Sequence, residues 1–139
     1  MKIVTEKLHT KTKGHTDVVD LTQKLVDLLS KTRLKNGSMT VFAVGSTAGI
    51  TTVEYEPGLI KDLPEAFERI VPSGKRYHHD ATWGDNNGYS HVRASMVGPT
   101  LVVPFSDRRL LLGTWQQVVL LDFDNRPRQR EVVVQFVGE

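Results

Sequence analysis

The segment LLLGTWQQVVLLDFD, residues 110–124, is rich in strand-forming residues and decides the fold class. Its second half is apolar at consecutive rather than alternate positions, which is typical of a strand buried on both faces. TLVVPF (100–105) and EVVVQFV (131–137) have similar apolar runs. We predict a strand over each segment, with Gly113 marking a bulge or a close approach in the longest one. Such strands in so short a chain indicate a β-sandwich or an oligomer interface.

The remaining elements predict how these strands are connected. Further strands are predicted over 2–11, 15–20, 38–44 and 49–55 from their valine, threonine and aromatic content. A helix should run from Thr22, its N-cap, to about Leu34, and Asn36-Gly37 should stop it. Two more helices are predicted, over residues 59–71 with Pro64 as a weak point, and over 91–97 with Ser90 as N-cap and Gly98 at the end. This order predicts an α+β fold of mainly antiparallel sheet or sandwich with a few helices.

Composition sets limits on the class of protein. At 139 residues, 39% hydrophobic and 24% charged, the chain fits one globular domain over residues 1–139. The net charge is only +2, and arginines cluster at 108–109 and at 126, 128 and 130. A basic patch this small suits a phosphorylated small molecule better than a nucleic acid, for which we expect no binding.

Two absences narrow the chemistry and the expected location. The sequence has no cysteine, which excludes disulfides, thiolate catalysis and cysteine-ligated metal sites. No stretch approaches 18 apolar residues, and the N-terminus lacks the apolar core of a signal peptide. We therefore expect a cytoplasmic protein with no membrane segment.

The segment YHHDATWGDNNGYSH, residues 77–91, concentrates titratable side chains. His79, Asp80, Asp85 and His91 could act as general acids and bases near pH 7 or bind a divalent metal such as Mg²⁺ or Zn²⁺. Their spacing matches no standard metal motif, and a surface loop whose polar side chains form turns explains the composition equally well. His78 should face away from His79, since neighbours in an extended segment point to opposite sides.

Three further positions leave alternatives open. Trp115 could stack on an aromatic heterocycle, although a core tryptophan is the more common outcome in an apolar strand. Glu54, at the end of an apolar strand, could pair with an arginine or act as a base. Arg128 and Arg130 are spaced to face the same side and could bind a phosphate or pyrophosphate, or form a solvated charged edge.

The chain resembles the YjbQ-type family over nearly its whole length. In the N-terminal half the resemblance rests on Asp20-Leu21-Thr22, Asn36-Gly37, Thr47-Ala48 and Glu54. In the C-terminal half it rests on a longer pattern: Tyr77, His79-Asp80, Asp85, Asn87, Ser90-His91, Arg93-Ala94-Ser95, Gly98-Pro99, Pro104, LLLGTWQ (110–116), Asp122, Asp124, Pro127-Arg128 and Arg130. LGTWQ followed by the Arg128 and Arg130 pair is its most specific part.

The resemblance implies an α+β homotrimer and a secondary thiamine-phosphate synthase activity, which joins an aminopyrimidine diphosphate to a thiazole phosphate. The implied catalytic residues are His79, Asp80, Asp85, His91 and Glu54, with His79, Asp85 and His91 as ligands of any metal. The residues predicted to bind substrate or phosphate are Arg128, Arg130, Arg93, Ser46, Thr47 and Trp115. A metal-dependent hydrolase of small phosphate or ester substrates and a non-catalytic ligand-binding or regulatory trimer remain alternatives.

The resembling family often has a histidine where this chain has Gly45. If that histidine were an essential base or metal ligand, this chain would lack it. Glycine here could instead let the backbone N–H groups of the GSTAG segment (45–49) approach an anion.

Overall fold

The computed structural model describes all 139 residues and folds them into two antiparallel sheets with four helices. The larger sheet has the strand order β1-β8-β3-β5-β6 and the smaller one has the order β2-β7-β4. The mainly antiparallel α+β prediction is confirmed. The strands are β1 Lys2–Thr12, β2 Asp17–Asp20, β3 Gly37–Val44, β4 Ala48–Val53, β5 Thr100–Ser106, β6 Arg109–Leu110, β7 Gln117–Asp122 and β8 Arg128–Gly138. The helices are α1 Thr22–Thr32, α2 Pro57–Ile70, α3 Asp80–Trp83 and α4 Gly88–Val97.

Strand β7 is buried on both faces, as its apolar run predicts. Val118 and Leu120 belong to the main core, which both sheets and helix α1 share. Val119 and Leu121 belong to a second core, where residues of α2 and α4 pack. The same chain therefore covers both faces of VVLL, and this strand needs no partner subunit to bury it.

The outer face of the larger sheet is different, because no element of the chain covers it. Phe42 lies opposite Val133 across β3 and β8, and Ile3 lies opposite Val137 across β1 and β8. Phe42, Ile3 and Val102 are exposed, whereas their inward-facing neighbours such as Val41 are fully buried. This alternation leaves an apolar outer sheet face, formed by Ile3, Phe42, Val44, Val102, Val133 and Val137.

The predicted long strand over 110–124 is wrong. Residues 111–116 form a connection between the two-residue β6 and β7. Gly113 lies in a turn, in which its carbonyl accepts from Gln116 N and its own N–H donates to Gln116 Oε1. Trp115 is consequently 73% exposed and is not a core residue.

The predicted helix ends also need correction. Leu21 occupies the N-cap of α1, and the Thr22 hydroxyl instead accepts a hydrogen bond from Val118 N, which ties the helix to β7. The helix ends at Thr32, because Arg33 takes a left-handed conformation with φ 62° before Asn36-Gly37 is reached. Helix α4 begins at Gly88, so Ser90 lies in its first turn and does not cap it.

The short helix α3 was not predicted. Asp80 holds it next to α4, since its two carboxylate oxygens accept hydrogen bonds from Tyr77 N and Gly88 N. A side chain at position 88 would lie 2.5 Å from Tyr77 Cβ, so this approach requires glycine. The longest helix, α2, has 14 residues, and no helix has the length and apolar character needed to cross a bilayer.

Candidate functional site

Two carboxylates at the end of β7, Asp122 and Asp124, are completely buried. Arg130 binds Asp122 through two hydrogen bonds, from Nε at 2.7 Å and from Nη2 at 2.8 Å. The hydroxyl of Thr12, at the end of β1, donates to the same carboxylate. A charge buried in this way is tolerated only when it is paired and hydrogen-bonded, and Asp122 satisfies both conditions.

Asp124 forms a second ion pair beside the first. Arg128 Nε donates to it at 2.7 Å, the Thr47 hydroxyl at 3.1 Å, Asn87 Nδ2 at 3.3 Å and Asn125 N at 2.8 Å. Burial favours the neutral acid, but these hydrogen bonds to the ionised form outweigh it and lower the pKa of Asp124. The carboxylate is therefore ionised at neutral pH.

The two arginines border a polar cavity of about 400 Å³. Asp122, Asp124 and Thr47 occupy only Nε of Arg128 and Nε and Nη2 of Arg130. The remaining guanidinium nitrogens make no hydrogen bond within the protein, so they are available to a ligand. The cavity is lined by Gly45, Ser46, Thr47, His79, Trp83, Asp85, Asn87, His91, Arg128 and Arg130.

Gly45 leaves space for Nη1 of Arg130. Its φ of 143° disfavours any other residue, and a Cβ built there would lie 3.0 Å from Arg130 Nη1. The backbone of the following residues is fixed by the strand it faces, since Thr47 O accepts a hydrogen bond from Phe123 N.

His79 and His91 pack against each other on the opposite wall. Their ring centroids are 4.2 Å apart at an interplanar angle of 50°, and His79 Nε2 lies 4.0 Å from Asp85 Oδ1. His79 precedes α3 and His91 lies in the first turn of α4, so the Asp80 hydrogen bonds that join these helices also bring the imidazoles together.

The two histidines differ in environment. Burial is the main cause that lowers the pKa of His91, and the neighbouring His79 adds to it, while Asp124 and Asp85 oppose the shift. His91 is therefore mainly neutral at pH 7. Its ring nitrogens make no protein hydrogen bond and are not buried, whereas His79 Nε2 is buried without a partner. His91 is the better placed of the two to exchange a proton with a ligand.

The site does not fit a metal held by His79, Asp85 and His91, the residues that the resemblance implies as ligands if a metal is present. No group of three or more histidine, aspartate or glutamate side chains is arranged to hold a metal ion. His79 and His91 stack on each other, and His79 Nε2, at 4.0 Å, is only in long-range contact with Asp85. We therefore assign no chemistry to Mg²⁺ or Zn²⁺ here.

The structure gathers seven of the predicted site residues around the cavity: Ser46, Thr47, His79, Asp85, His91, Arg128 and Arg130. Glu54 and Trp115 are exposed and lie outside it. Asp80 also lies outside and orders the segment that carries His79. Its pKa is lowered first by the hydrogen bond from Tyr77 N and then by that from Gly88 N.

Arg93 has a structural role in place of the predicted phosphate contact. It is only 3% exposed, and its guanidinium donates to Val71 O, the Thr16 hydroxyl and Glu68 Oε2. Its guanidinium carbon also lies 4.8 Å from the centre of the Tyr89 ring. These contacts fix α4 to the end of α2, and Arg93 does not line the cavity.

Asp122 and Asp124, together with Asn87 and Trp83, were given no role in the site by sequence reasoning. The signal for the carboxylates is present in the sequence. Two aspartates spaced i, i+2 follow directly on a strand that is buried on both faces. Because a buried carboxylate is tolerated only when it is paired, both predict positively charged partners. Arg128 and Arg130 follow with the same spacing across the next turn.

Fold and cavity together define a small α+β protein of packed antiparallel sheets with a cavity lined by arginines and histidines. The model of the family described as UPF0047 protein YjbQ-like matches residues 6–139. The chain belongs to this YjbQ (UPF0047) family, which confirms the resemblance in its sequence.

Individual relatives agree with this assignment. A UPF0047 protein of Archaeoglobus fulgidus is 34% identical over 128 residues, covering 92% of this chain and 97% of that protein. A YbjQ-like protein of unknown function from Sulfolobus solfataricus P2 superposes with a TM-score of 0.94 at 28% identity, over 99% of both chains. A hypothetical protein from Aeropyrum pernix K1 superposes with a TM-score of 0.91 at 30% identity, over 98% of this chain and 99% of that one. These likenesses establish family and fold.

We expect Asp124→Asn to destabilise the protein by about 3 kcal/mol at pH 7, because it removes one partner of a buried ion pair. The folded-state pKa of Asp124 is lowered, so its contribution is present above the unfolded-state value near ~3.9 and is lost as the pH falls through the folded value. Urea unfolding should be measured from pH 7 to pH 3. The difference in the free energy of unfolding between wild type and variant should therefore disappear below about pH 4.

The matched control is Asp107→Asn, the same change at an exposed carboxylate. It should shift stability by less than about 0.5 kcal/mol at every pH. A gap for Asp124→Asn that stays constant with pH would contradict the proposed ionised state.

Proposed function

We propose that the cavity binds a phosphorylated small molecule and that the protein is an enzyme acting on it. One observation carries this proposal: buried carboxylates hold Arg128 and Arg130 rigidly while their remaining nitrogens border a cavity that also contains His91. Guanidinium groups match the oxygens of phosphate in geometry and bind them bidentately. His91, accessible and mainly neutral at pH 7, can accept or return a proton on the same ligand.

Preorganisation, and not net charge, is the basis of this binding. The charges of Arg128 and Arg130 are balanced by their buried partners Asp124 and Asp122, and a third carboxylate, Asp85, lines the cavity. The arginine side chains are therefore already ordered in the folded protein, so ligand binding does not have to pay the conformational entropy of fixing them. Protonation of a histidine would add positive charge, so anion affinity should increase as the pH falls through the lowered pKa of His91.

Thiamine-phosphate synthesis is the specific reaction we propose to test. It joins an aminopyrimidine diphosphate to a thiazole phosphate and releases pyrophosphate. Arg128 and Arg130 would hold the diphosphate and stabilise its charge as it leaves, the kind of stabilisation that contributes most in a site of fixed donors. The metal-dependent hydrolase alternative receives less support, because the residues do not form a three-ligand metal group.

Arg128→Ala should weaken pyrophosphate binding by about 1.5–3 kcal/mol, roughly 10- to 150-fold, measured by isothermal titration calorimetry. Arg126→Ala is the matched control, since Arg126 is exposed and lies outside the cavity. Equal pyrophosphate affinity in the wild type and both variants would remove Arg128 from the binding site. Melting temperatures recorded on the same samples would show whether the variants remain folded.

His91→Ala and His79→Ala should each lower the rate of thiamine-phosphate formation by at least about 100-fold, the usual contribution of a general acid or base. His78→Ala is the control, because His78 is exposed on the same segment and does not line the cavity. The assay follows release of pyrophosphate from the diphosphate substrate. Pyrophosphate binding without any turnover by the wild type would instead support the non-catalytic ligand-binding alternative.

We also propose that the protein assembles as a homotrimer through the apolar outer sheet face. Exposed apolar areas of this kind on small proteins mark interaction surfaces. Phe42 lies near its centre, with neighbours on both adjoining strands.

Light scattering at micromolar concentration should give a mass three times that of the 15.6 kDa chain. Phe42→Glu should shift it to the mass of one chain, because a charge in the apolar contact is costly. Val26→Glu, at an apolar position on helix α1 that is 40% exposed against 42% for Phe42, should leave the trimer intact. A monomer mass for the wild type would overturn the assembly proposal.

A further inference from the structure

A second cavity adjoins the polar one and shares part of its wall. It measures about 360 Å³ and has Gly45, Ser46 and His91 in common with the first. Its other lining residues are Ala48 at the start of β4, Ala94 and Ser95 on α4, and Pro99. No charged side chain is among them. The two cavities therefore lie side by side, and we call them the polar lobe, at the arginines, and the weakly polar lobe, beyond His91.

The walls of the second lobe are rigid. Helix α4 packs so closely on β4 that a Cβ at Gly49 would lie 2.7 Å from Val97 Cγ1. Ile50 N donates to Gly98 O and Ala43 N donates to Pro99 O, so the chain after α4 is fixed to both β4 and β3. Small side chains at Ala48 and Ala94, both nearly fully buried, keep the space open between these fixed elements.

We propose that this lobe binds the organic part of the substrate, so that the natural ligand is a phosphate ester of a compact, largely apolar group. This inference rests on the proposed phosphate site. When a phosphate is bound by Arg128 and Arg130, its ester group can extend past Gly45 and Ser46 into the adjoining space, which is lined by apolar and small side chains. Burial of an apolar group there is favourable. His91 borders both lobes, which places its imidazole beside the bond that joins the two parts of the ligand.

The lobe can be filled without touching the core. Ser95 is exposed on α4, and its hydroxyl bonds only to Val92 O in the preceding turn. Ser95→Leu should occupy the lobe and leave the arginines unaffected. Ser30→Leu is a close match, because Ser30 is also exposed on a helix and bonds to Asp27 O in the same way.

The experiment compares inorganic phosphate with phenyl phosphate by isothermal titration calorimetry on the full chain. Wild type and Ser30→Leu should bind phenyl phosphate about tenfold more tightly than phosphate, the gain expected from burying part of the ring. Ser95→Leu should lose this preference while its affinity for inorganic phosphate stays within about twofold of wild type.

Each other outcome is informative. A wild type that binds phosphate and phenyl phosphate equally, or a preference that survives in Ser95→Leu, would overturn the two-lobed site while leaving the phosphate site standing. Loss of phosphate affinity in Ser95→Leu would show that the lobe is not separate from the phosphate site and would also overturn it. No binding of either compound by the wild type would refute the proposed function itself.

Discussion

Two buried carboxylates, Asp122 and Asp124, hold the arginines that line the cavity, and the rest of the site depends on these ion pairs. Once the chain buries them at the end of β7, each needs a positive partner, and Arg130 and Arg128 meet that need from the following strand. Asp124 also accepts hydrogen bonds from Thr47 and Asn87, which come from two other parts of the chain. One electrostatic requirement thus brings the cavity walls together and also fixes the direction in which both guanidinium groups point.

The layered packing around β7 explains why catalytic candidates lie at this end of the molecule. The larger sheet and α1 cover one face of the strand, while α2 and α4 cover the other. Asn87, the residue before α4, donates to Asp124, so the helix begins near the end of β7 and His91 lies close to the ion pairs. His79 joins it through the Asp80 hydrogen bonds, which are local in sequence and independent of the core. The packing of α4 therefore positions His91, and the hydrogen bonds of Asp80 position His79.

Sequence reasoning was strongest where the pattern was local and weakest where partners were distant. The apolar run in β7 predicted a doubly buried strand, and the dense polar segment at 77–91 predicted His79 and His91 as candidate site residues, both of which line the cavity. Arg93 illustrates the limit, since its partners Val71, Glu68 and Thr16 lie 22, 25 and 77 positions away and no local pattern distinguishes it from a ligand-binding arginine. The prediction for Trp115 was wrong for a different reason. The residue lies in the connection between the two-residue β6 and β7, and not in the predicted long strand.

Thr12 links the arginine-lined cavity to the edge of the larger sheet. It is the last residue of β1, it lies opposite Arg128 in the ladder, and its hydroxyl donates to Asp122. Strand β1 pairs only with β8, so its end can separate from the sheet only by giving up this buried hydrogen bond. Opening of the end of β1 therefore removes one donor from the carboxylate that holds Arg130, which couples this local unfolding to the arginine pair. Any ligand that holds the arginines in place lowers the population of that open state and slows amide hydrogen exchange along β1, far from the atoms it contacts.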